Sequence, residues 1–244
     1  SIKWDITLPD AAQVEPSIGS DGTIYIGNNN GYIKAIDPSN GNEKWTYTPT
    51  FGHPRGNFGI ILKSNTLVAG FENGWVIELS MSNGEVINSI NLGSAYPSSN
   101  PNNEPKIQSR LLMSTTGKIY VPLVRTEDTD LIVALDENLS VIHDFDIGIY
   151  NLLLHAIIGL AEGLDGSIIF TTKDYIISLD PSNLQKNWHK FYNTFIGDKG
   201  ITIGANGDIY VETDDGVVAF DHSDGEIIWT FPANNPKSIS LVPD

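Results

Sequence analysis

The chain has 244 residues, 40% hydrophobic and 18% charged, with a net charge of -16 and no cysteine. The composition suits a globular protein with a sizeable core, and the lack of cysteine excludes a disulfide framework, thiolate metal sites and cysteine nucleophiles. So acidic a surface repels a phosphate backbone and an anionic bilayer, so no nucleic-acid partner is expected, and no stretch has the apolar length of a membrane span.

The N-terminal SIKWDITLPD lacks a basic region followed by an apolar run, so no signal peptide is read in it. The stretch Pro16 to Trp45, PSIGSDGTIYIGNNNGYIKAIDPSNGNEKW, then reads as strand, Asp-Gly turn, strand, Gly-containing turn, strand, Asp-x-x-x-Gly turn and strand ending in Trp. Asp-Gly or Asn-Gly between two β-rich runs is the strongest short hairpin signal. The same unit recurs with first turns at Ser64–Thr66, Thr116–Lys118, Asp165–Ser167 and Asn206–Asp208, a spacing of roughly 40 to 50 residues. Its last copy, Ile201 to Trp229, nearly duplicates the first. The second strands read TIYIG, TLVAG, KIYVP, SIIFT and DIYVE, and the third YIKAID, WVIELS, LIVALD, YIISLD and VVAFD. The fourth run to Trp45, Ile90, Phe145, Trp188 and Trp229. Nothing sustains a helical period, and Ile149 to Leu160 is read as a loop feeding a buried strand.

Four-stranded antiparallel units repeated in this way predict an all-β fold, a β-propeller of five complete blades in one domain. The expected blades cover about 12–50, 57–93, 106–148, 156–197 and 199–232. Residues 1–8 match the fourth strand of a blade and 236–244 a first strand, so both are expected to be outer fragments of a flanking blade. Either a sixth blade closes incompletely or, as the exposed hairpin edge favours, the chain is a piece of a longer propeller, whose remainder would be its partner.

Ala35 to Trp45 and Ala219 to Trp229 resemble the tryptophan-docking signature A-x-D-x-x-x-G-x-x-x-W of pyrroloquinoline-quinone-type (PQQ-like) repeats. Ser178 to Trp188 keeps the Asp and Trp but has Leu184 at the Gly position, and the second and third blades lack the Trp. The resemblance covers most of the chain. It implies that Trp4, Trp45, Trp188 and Trp229 are structural and pack between blades. Quinoprotein dehydrogenases of this superfamily bind the quinone beside a calcium or lanthanide ion, with an adjacent-cysteine disulfide and an Asp base. This chain has no cysteine and no recognisable cluster of Glu, Asn and Asp, so no PQQ is expected. Family members without cofactor serve as scaffolds, among them an outer-membrane-assembly lipoprotein and the lumenal sensors of some receptors.

Motifs for chemistry are sparse. His53, His143, His155, His189 and His222 never fall at H-x-H or H-E-x-x-H spacing, so no metal site is predicted. Asp37 to Glu43 and Asp221 to Glu226 share an acidic character with calcium loops, but lack the ligand alternation and terminal Glu of an EF-hand and are explained as hairpin turns. There is no G-x-S-x-G elbow or phosphate-binding Gly loop, and Asn138-Leu139-Ser140 is a lone glycosylation sequon.

In a propeller the inter-blade connections and second-to-third-strand turns open on one face. Here the long connections are TPTFGHPRGNF, GSAYPSSNPNNEPK and GIYNLLLHA, with an enlarged turn at Arg125 to Asp130. Loops on a rigid scaffold commonly carry function. The three arginines fall on or near that face and several ring side chains lie in these connections, and such residues are favoured at interfaces. The candidate binding face is therefore His53, Arg55, Tyr96, Arg110, Arg125, Asp128, Tyr150 and His155. The expected function is a non-catalytic, cofactor-free scaffold binding a protein or a glycan outside the cytoplasm, in the periplasm, at the cell surface or secreted. The alternative is a quinone-free enzyme working on carbohydrate or a small molecule in the central funnel. That enzyme would bring acidic or His side chains with perturbed pKa values together there.

Overall fold

The computed structural model describes residues 2–8, 15–50, 57–100, 104–125, 129–150, 157–192 and 200–233. Blade 1 is β1 (Ser17–Ile18), β2 (Ile24–Gly27), β3 (Ile33–Ile36) and β4 (Glu43–Tyr47). Blade 2 is β5 (Asn57–Leu62), β6 (Thr66–Phe71), β7 (Trp75–Ser80) and β8 (Val86–Asn91), followed by a one-turn helix α1 (Leu92–Ala95). Blade 3 is β9 (Leu112–Met113), β10 (Ile119–Leu123), β11 (Leu131–Leu135) and β12 (Val141–Asp146). Blade 4 is β13 (Gly159–Glu162), β14 (Ile168–Thr171), β15 (Tyr175–Leu179) and β16 (Lys186–Phe191). Blade 5 is β17 (Ile201–Ile203), β18 (Ile209–Thr213), β19 (Gly216–Phe220) and β20 (Ile227–Pro232). Each is a four-stranded antiparallel sheet in sequence order, so the fold is the expected all-β propeller architecture.

The first hairpins form where the Gly turns lie. Gly22, Gly117, Gly166 and Gly207 all take φ between 82° and 91°, a region that costs Gly little and other residues more. The first strands of successive blades pack side by side, β1 and β5, β9 and β13, β13 and β17. Ser17 Oγ donates to Ile60 O at 2.9 Å and Ser109 Oγ to Ile158 O at 3.1 Å, which pins two of these junctions. Among the described residues, the core is four slabs between neighbouring blades. In β11, Leu131, Val133 and Leu135 face blade 2, while Ile132 and Ala134 face blade 4. Burial on both faces explains why the strand is a continuous apolar run, LIVAL.

One device repeats at every third-to-fourth-strand hairpin. A register shift follows Ala35, Glu78, Ala134, Ser178 and Ala219, immediately before the turn. The residue opposite each is Trp45, Asn88, His143, Trp188 and Trp229. The register therefore puts Asn88 and His143, rather than Ile90 and Phe145, at the tryptophan position of blades 2 and 3. The spacing from Glu78 to Asn88 equals that from Ala35 to Trp45, and blade 3 reaches His143 one residue sooner because its turn is one residue shorter.

The indoles cross to the next blade. Trp4 Nε1 donates to Pro38 O at 3.0 Å, Trp45 Nε1 to Met81 O at 2.9 Å, and Trp188 Nε1 to His222 O at 3.0 Å. Each ring lies on the glycine that closes the receiving turn. A Cβ there would meet ring carbon at 2.9 Å on Gly41, 2.5 Å on Gly84 and 2.6 Å on Gly225, closer than real Cβ contacts come. Gly41, Gly84 and Gly225 also take φ of 77°, 74° and 74°, so two constraints select glycine.

The tryptophan-free junctions use different parts. Blades 3 and 4 receive no indole, and the turn residue is Leu139 (φ 59°) or Leu184 (φ 57°), the non-glycine residues at positive φ among those described. Both leucines are buried, Leu139 in the slab between blades 2 and 3 and Leu184 in the slab between blades 3 and 4. Burying a leucine side chain is worth about 1.5–3 kcal/mol, against about 1–2 kcal/mol for a left-handed non-glycine residue. Burial wins where no ring competes for the space. The carbonyl keeps a donor as well: Lys63 Nζ lies 2.9 Å from Glu137 O, and Lys118 Nζ 2.6 Å from Pro181 O.

The aspartates opening these turns bind their own loop. Asp37, Asp180 and Asp221 each accept from the hydroxyl of the Ser two residues on, at 2.6 Å, and from its backbone N–H. The hydroxyl bond first, then the backbone bond, holds these carboxyls below the usual range. In the first hairpin Thr23 does the same for Asp21, which is pushed down to about 2. Folded-state pKa values below the unfolded value, roughly 3.9, give stability that is complete above about pH 5 and is lost as pH falls through the folded pKa. Urea midpoints of the wild type should therefore exceed those of Asp21→Asn at pH 7 and converge on them between about pH 4 and 2. A gap unchanged at pH 2 would contradict this account.

Candidate functional site

The loop face is built at the junction of blades 2 and 3. Asn91 caps α1, its side chain accepting from Ser94 N at 3.0 Å, and Leu92 is anchored in the slab below. The chain turns here at a close approach of two glycines: a Cβ on Gly74 would meet Gly93 N at 2.7 Å. Tyr96 follows, half-buried against the same slab, with its hydroxyl bonded to Asp144 on β12. Burial, then the Asp144 charge and that hydrogen bond, push the Tyr96 hydroxyl pKa up.

Arg125 continues the same system. Its Nε donates to Thr129 O at 2.7 Å, and its Nη2 lies 3.1 Å from Thr129 Oγ1 and 3.5 Å from Asp146 Oδ2. Its backbone N–H donates to the buried Asp130 at 3.0 Å, and Asp146 Oδ1 accepts from Gly148 N at 2.8 Å. Asp144 and Asp146, two residues apart on β12, point to one side of the strand. They hold Tyr96 and Arg125 respectively, and so tie an inter-blade connection and a second-to-third-strand turn to one outer strand. The guanidinium is thereby turned inward rather than offered to solvent.

Arg110 is placed differently. It precedes β9, packs over Gly59 at the start of blade 2, and its Nη1 lies 3.1 Å from Glu15 Oε2, just ahead of β1. This bridge joins the starts of blades 1 and 3 at the axial end of the first strands. Arg110 is exposed, so the pair contributes little to stability. The hydrogen bond from Arg110, then its charge, lowers the Glu15 pKa. Of the other predicted face residues, His53, Arg55, Asp128 and His155, and the side chain of Tyr150, lie outside the described residues. The structure thus brings Tyr96 and Arg125 together and leaves Arg110 apart from them, nearer the axis. Sequence reading misses Asp144 and Asp146, which sit inside the strand pattern VIHDFD with no motif to mark them.

The lowered carboxyls of Asp21, Asp37, Asp180 and Asp221 belong to hairpin turns on the opposite face. Among the described residues, no three His, Cys, Asp or Glu side chains are grouped to hold a metal ion. No described helix is long and apolar enough to cross a membrane.

The profile of the family described as outer membrane protein assembly factor BamB matches residues 1–136. No curated protein sequence matches the chain. Among solved structures, the fold is similar to BamB from Moraxella catarrhalis, with a TM-score of 0.72 and 16% identity, over 98% of this chain and 70% of that one. It is similar to quinohemoprotein alcohol dehydrogenase from Comamonas testosteroni, with a TM-score of 0.67 and 14% identity, over 91% of this chain and 43% of that one. It is also similar to the quinohemoprotein alcohol dehydrogenase ADHIIG from Pseudomonas putida HK5, at 0.70 and 12%, over 93% and 42%. This chain spans less than half of either dehydrogenase, and at these identities the likenesses carry the fold alone.

Proposed function

Since the chain belongs to the PQQ-like repeat family described as outer membrane protein assembly factor BamB, we propose that it is a non-catalytic, quinone-free scaffold that binds a protein partner outside the cytoplasm. The family description names work done on other proteins, and the acidic, cysteine-free composition accords with a scaffold that needs no redox or thiol chemistry. The observation that carries the reading is the bracing of the loop face. Tyr96–Asp144 and Arg125–Asp146 anchor one residue of each of two irregular connections to β12, and side chains already placed in this way lose little entropy on binding. Arg110, exposed beside this face, is the cation offered to a partner, for which the planar guanidinium suits a carboxylate or backbone carbonyl. A protein segment is favoured over a glycan by the family description.

A photoreactive residue at the exposed Ala95 tests this directly, with Glu137 on the opposite face as control. In an extracytoplasmic extract of the source cells, Ala95 should give a saturable protein adduct that Arg110→Glu reduces at least severalfold, and Glu137 should give none. Adducts at Glu137 alone would move the site to the other face, and no adduct at either position would remove the scaffold reading.

A further inference from the structure

The third-to-fourth-strand turn of blade 3 is one residue shorter than the others, and the shortening changes what its side chains do. In the longer turns a side-chain oxygen of Asn40, Asn83, Asn183 or Asp224 accepts from the backbone N–H two residues on, at 2.8–3.2 Å. In blade 3, Asp136 Oδ1 takes both backbone donors itself, Asn138 N at 2.9 Å and Ser140 N at 2.8 Å. The turn is therefore closed without the Asn138 amide. Asn138 and Ser140 are exposed, and neither that amide nor the Ser140 hydroxyl has a hydrogen-bond partner among the described residues.

Asn138-Leu139-Ser140 is the only Asn-x-Ser/Thr tripeptide in the sequence, and an acceptor asparagine must offer its amide on the surface. The single sequon thus coincides with the turn that leaves its asparagine unemployed. Asp136 stands two residues before it and completes the longer pattern, Asp/Glu-x-Asn-x-Ser/Thr, that one class of oligosaccharyltransferase requires. The surroundings suit a sugar as well. Asn138 O accepts from Asn88 Nδ2 at 2.5 Å, which sets the turn beside β8. Ile87 on β8 and Val141 on β12 are 57% and 40% exposed, an apolar rim within reach of a bulky, solubilising chain on Asn138.

We infer that Asn138 is an N-glycosylation site, loaded during export from a lipid-diphosphate-linked oligosaccharide. Asn138 Nδ2 forms a bond to C1 of the reducing-end sugar. The bond from C1 to the diphosphate oxygen breaks, the lipid diphosphate leaves with the electron pair, and the amide gives one proton to a base of the transferase. Leu139 is buried in the slab between blades 2 and 3 at φ 59°, so the folded blade does not yield the sequon to an enzyme cleft. Transfer therefore precedes closure of that junction. The finished glycan stands on the face opposite Tyr96 and Arg125 and leaves the proposed partner face open. The inference rests on the extracytoplasmic location proposed above, where the lipid-linked donor is used.

Peptide mass spectrometry of the full chain, recovered from extracytoplasmic and cytoplasmic fractions of the source cells, tests it. Asn138 should carry a glycan in most molecules of the extracytoplasmic fraction. Ser140→Thr should keep the glycan, and Ser140→Ala and Asn138→Gln should each lose it. Neither side chain bonds the fold, and if one of these variants fails to accumulate the other still reads the site. An extracytoplasmic protein whose Asn138 is bare, or a glycan there that survives Ser140→Ala, overturns the inference and leaves the scaffold reading standing. A chain confined to the cytoplasmic fraction overturns the proposed location together with the inference.

Discussion

Replacing Trp45 by alanine is expected to lower stability by about 3–5 kcal/mol, the usual cost of emptying a buried aromatic site. The indole fills the slab between blades 1 and 2 with Tyr25, Leu67 and Leu79, and its Nε1 satisfies Met81 O. Relaxation cannot close the gap readily, because Gly84 offers no side chain to fill it. The measurement is the urea midpoint, read beside that of Trp229→Ala. The latter ring is 44% exposed and covers no described blade, so its removal should cost less than about 1 kcal/mol. In a repeat array the Trp45→Ala loss is concentrated at one interface, so blades 1 and 2 should lose hydrogen-exchange protection before blades 3 to 5. Equal midpoints for the two variants would refute the assignment of the ring to inter-blade packing.

The second large effect is a coupling. His143→Trp alone drives an indole into space that buried Leu184 occupies, and overpacking of this kind costs about 1–3 kcal/mol. Leu184→Gly alone relieves a left-handed leucine but leaves a hole between blades 3 and 4, for a net loss of about 2–4 kcal/mol. Together the two changes rebuild the junction that Trp45 and Gly84 make, with Pro181 O as acceptor. The double variant should therefore be more stable than either single one, with a favourable interaction energy of about 1–3 kcal/mol in the cycle. Additive losses would mean that indole and leucine do not share one volume. The reciprocal change, Gly84→Leu beneath an intact Trp45, has no such rescue, because its Cβ begins 2.5 Å from the ring.

The hairpin skeleton is legible in the sequence because it is local. Gly22, Gly117, Gly166 and Gly207 sit where a turn needs positive φ, and Asp21, Asp37, Asp180 and Asp221 sit where a carboxylate closes the loop on a Ser or Thr two residues later. The junctions are less legible because their partners lie in different repeats. The Gly and Trp of one signature, Gly41 and Trp45, belong to two different interfaces, with Trp4 behind and Gly84 ahead. Within one repeat Leu184 therefore looks like a lapse, and it becomes intelligible once His143 is seen to stand in place of the preceding indole. Lysine as the substitute donor has no signature, since Lys63 and Lys118 come from the first hairpin rather than the fourth strand. At the loop face, Tyr96 and Arg125 can be picked out as interruptions of the repeat. Their carboxylate partners cannot, because Asp144 and Asp146 are exposed-strand residues until the register brings the neighbouring connections over them.

The acceptor at every described junction is a main-chain oxygen: Pro38, Met81, Glu137, Pro181 and His222. A peptide carbonyl is present whatever side chain its residue carries, so drift in the receiving turn cannot erase the docking point, and only the donor is exposed to genetic change. The donor is an indole at three of these carbonyls and an ammonium at the other two. Such an array is robust by construction. Its repeats can diverge until they no longer align with one another while each boundary still meets in the same register, and a boundary can be rewritten without disturbing those on either side.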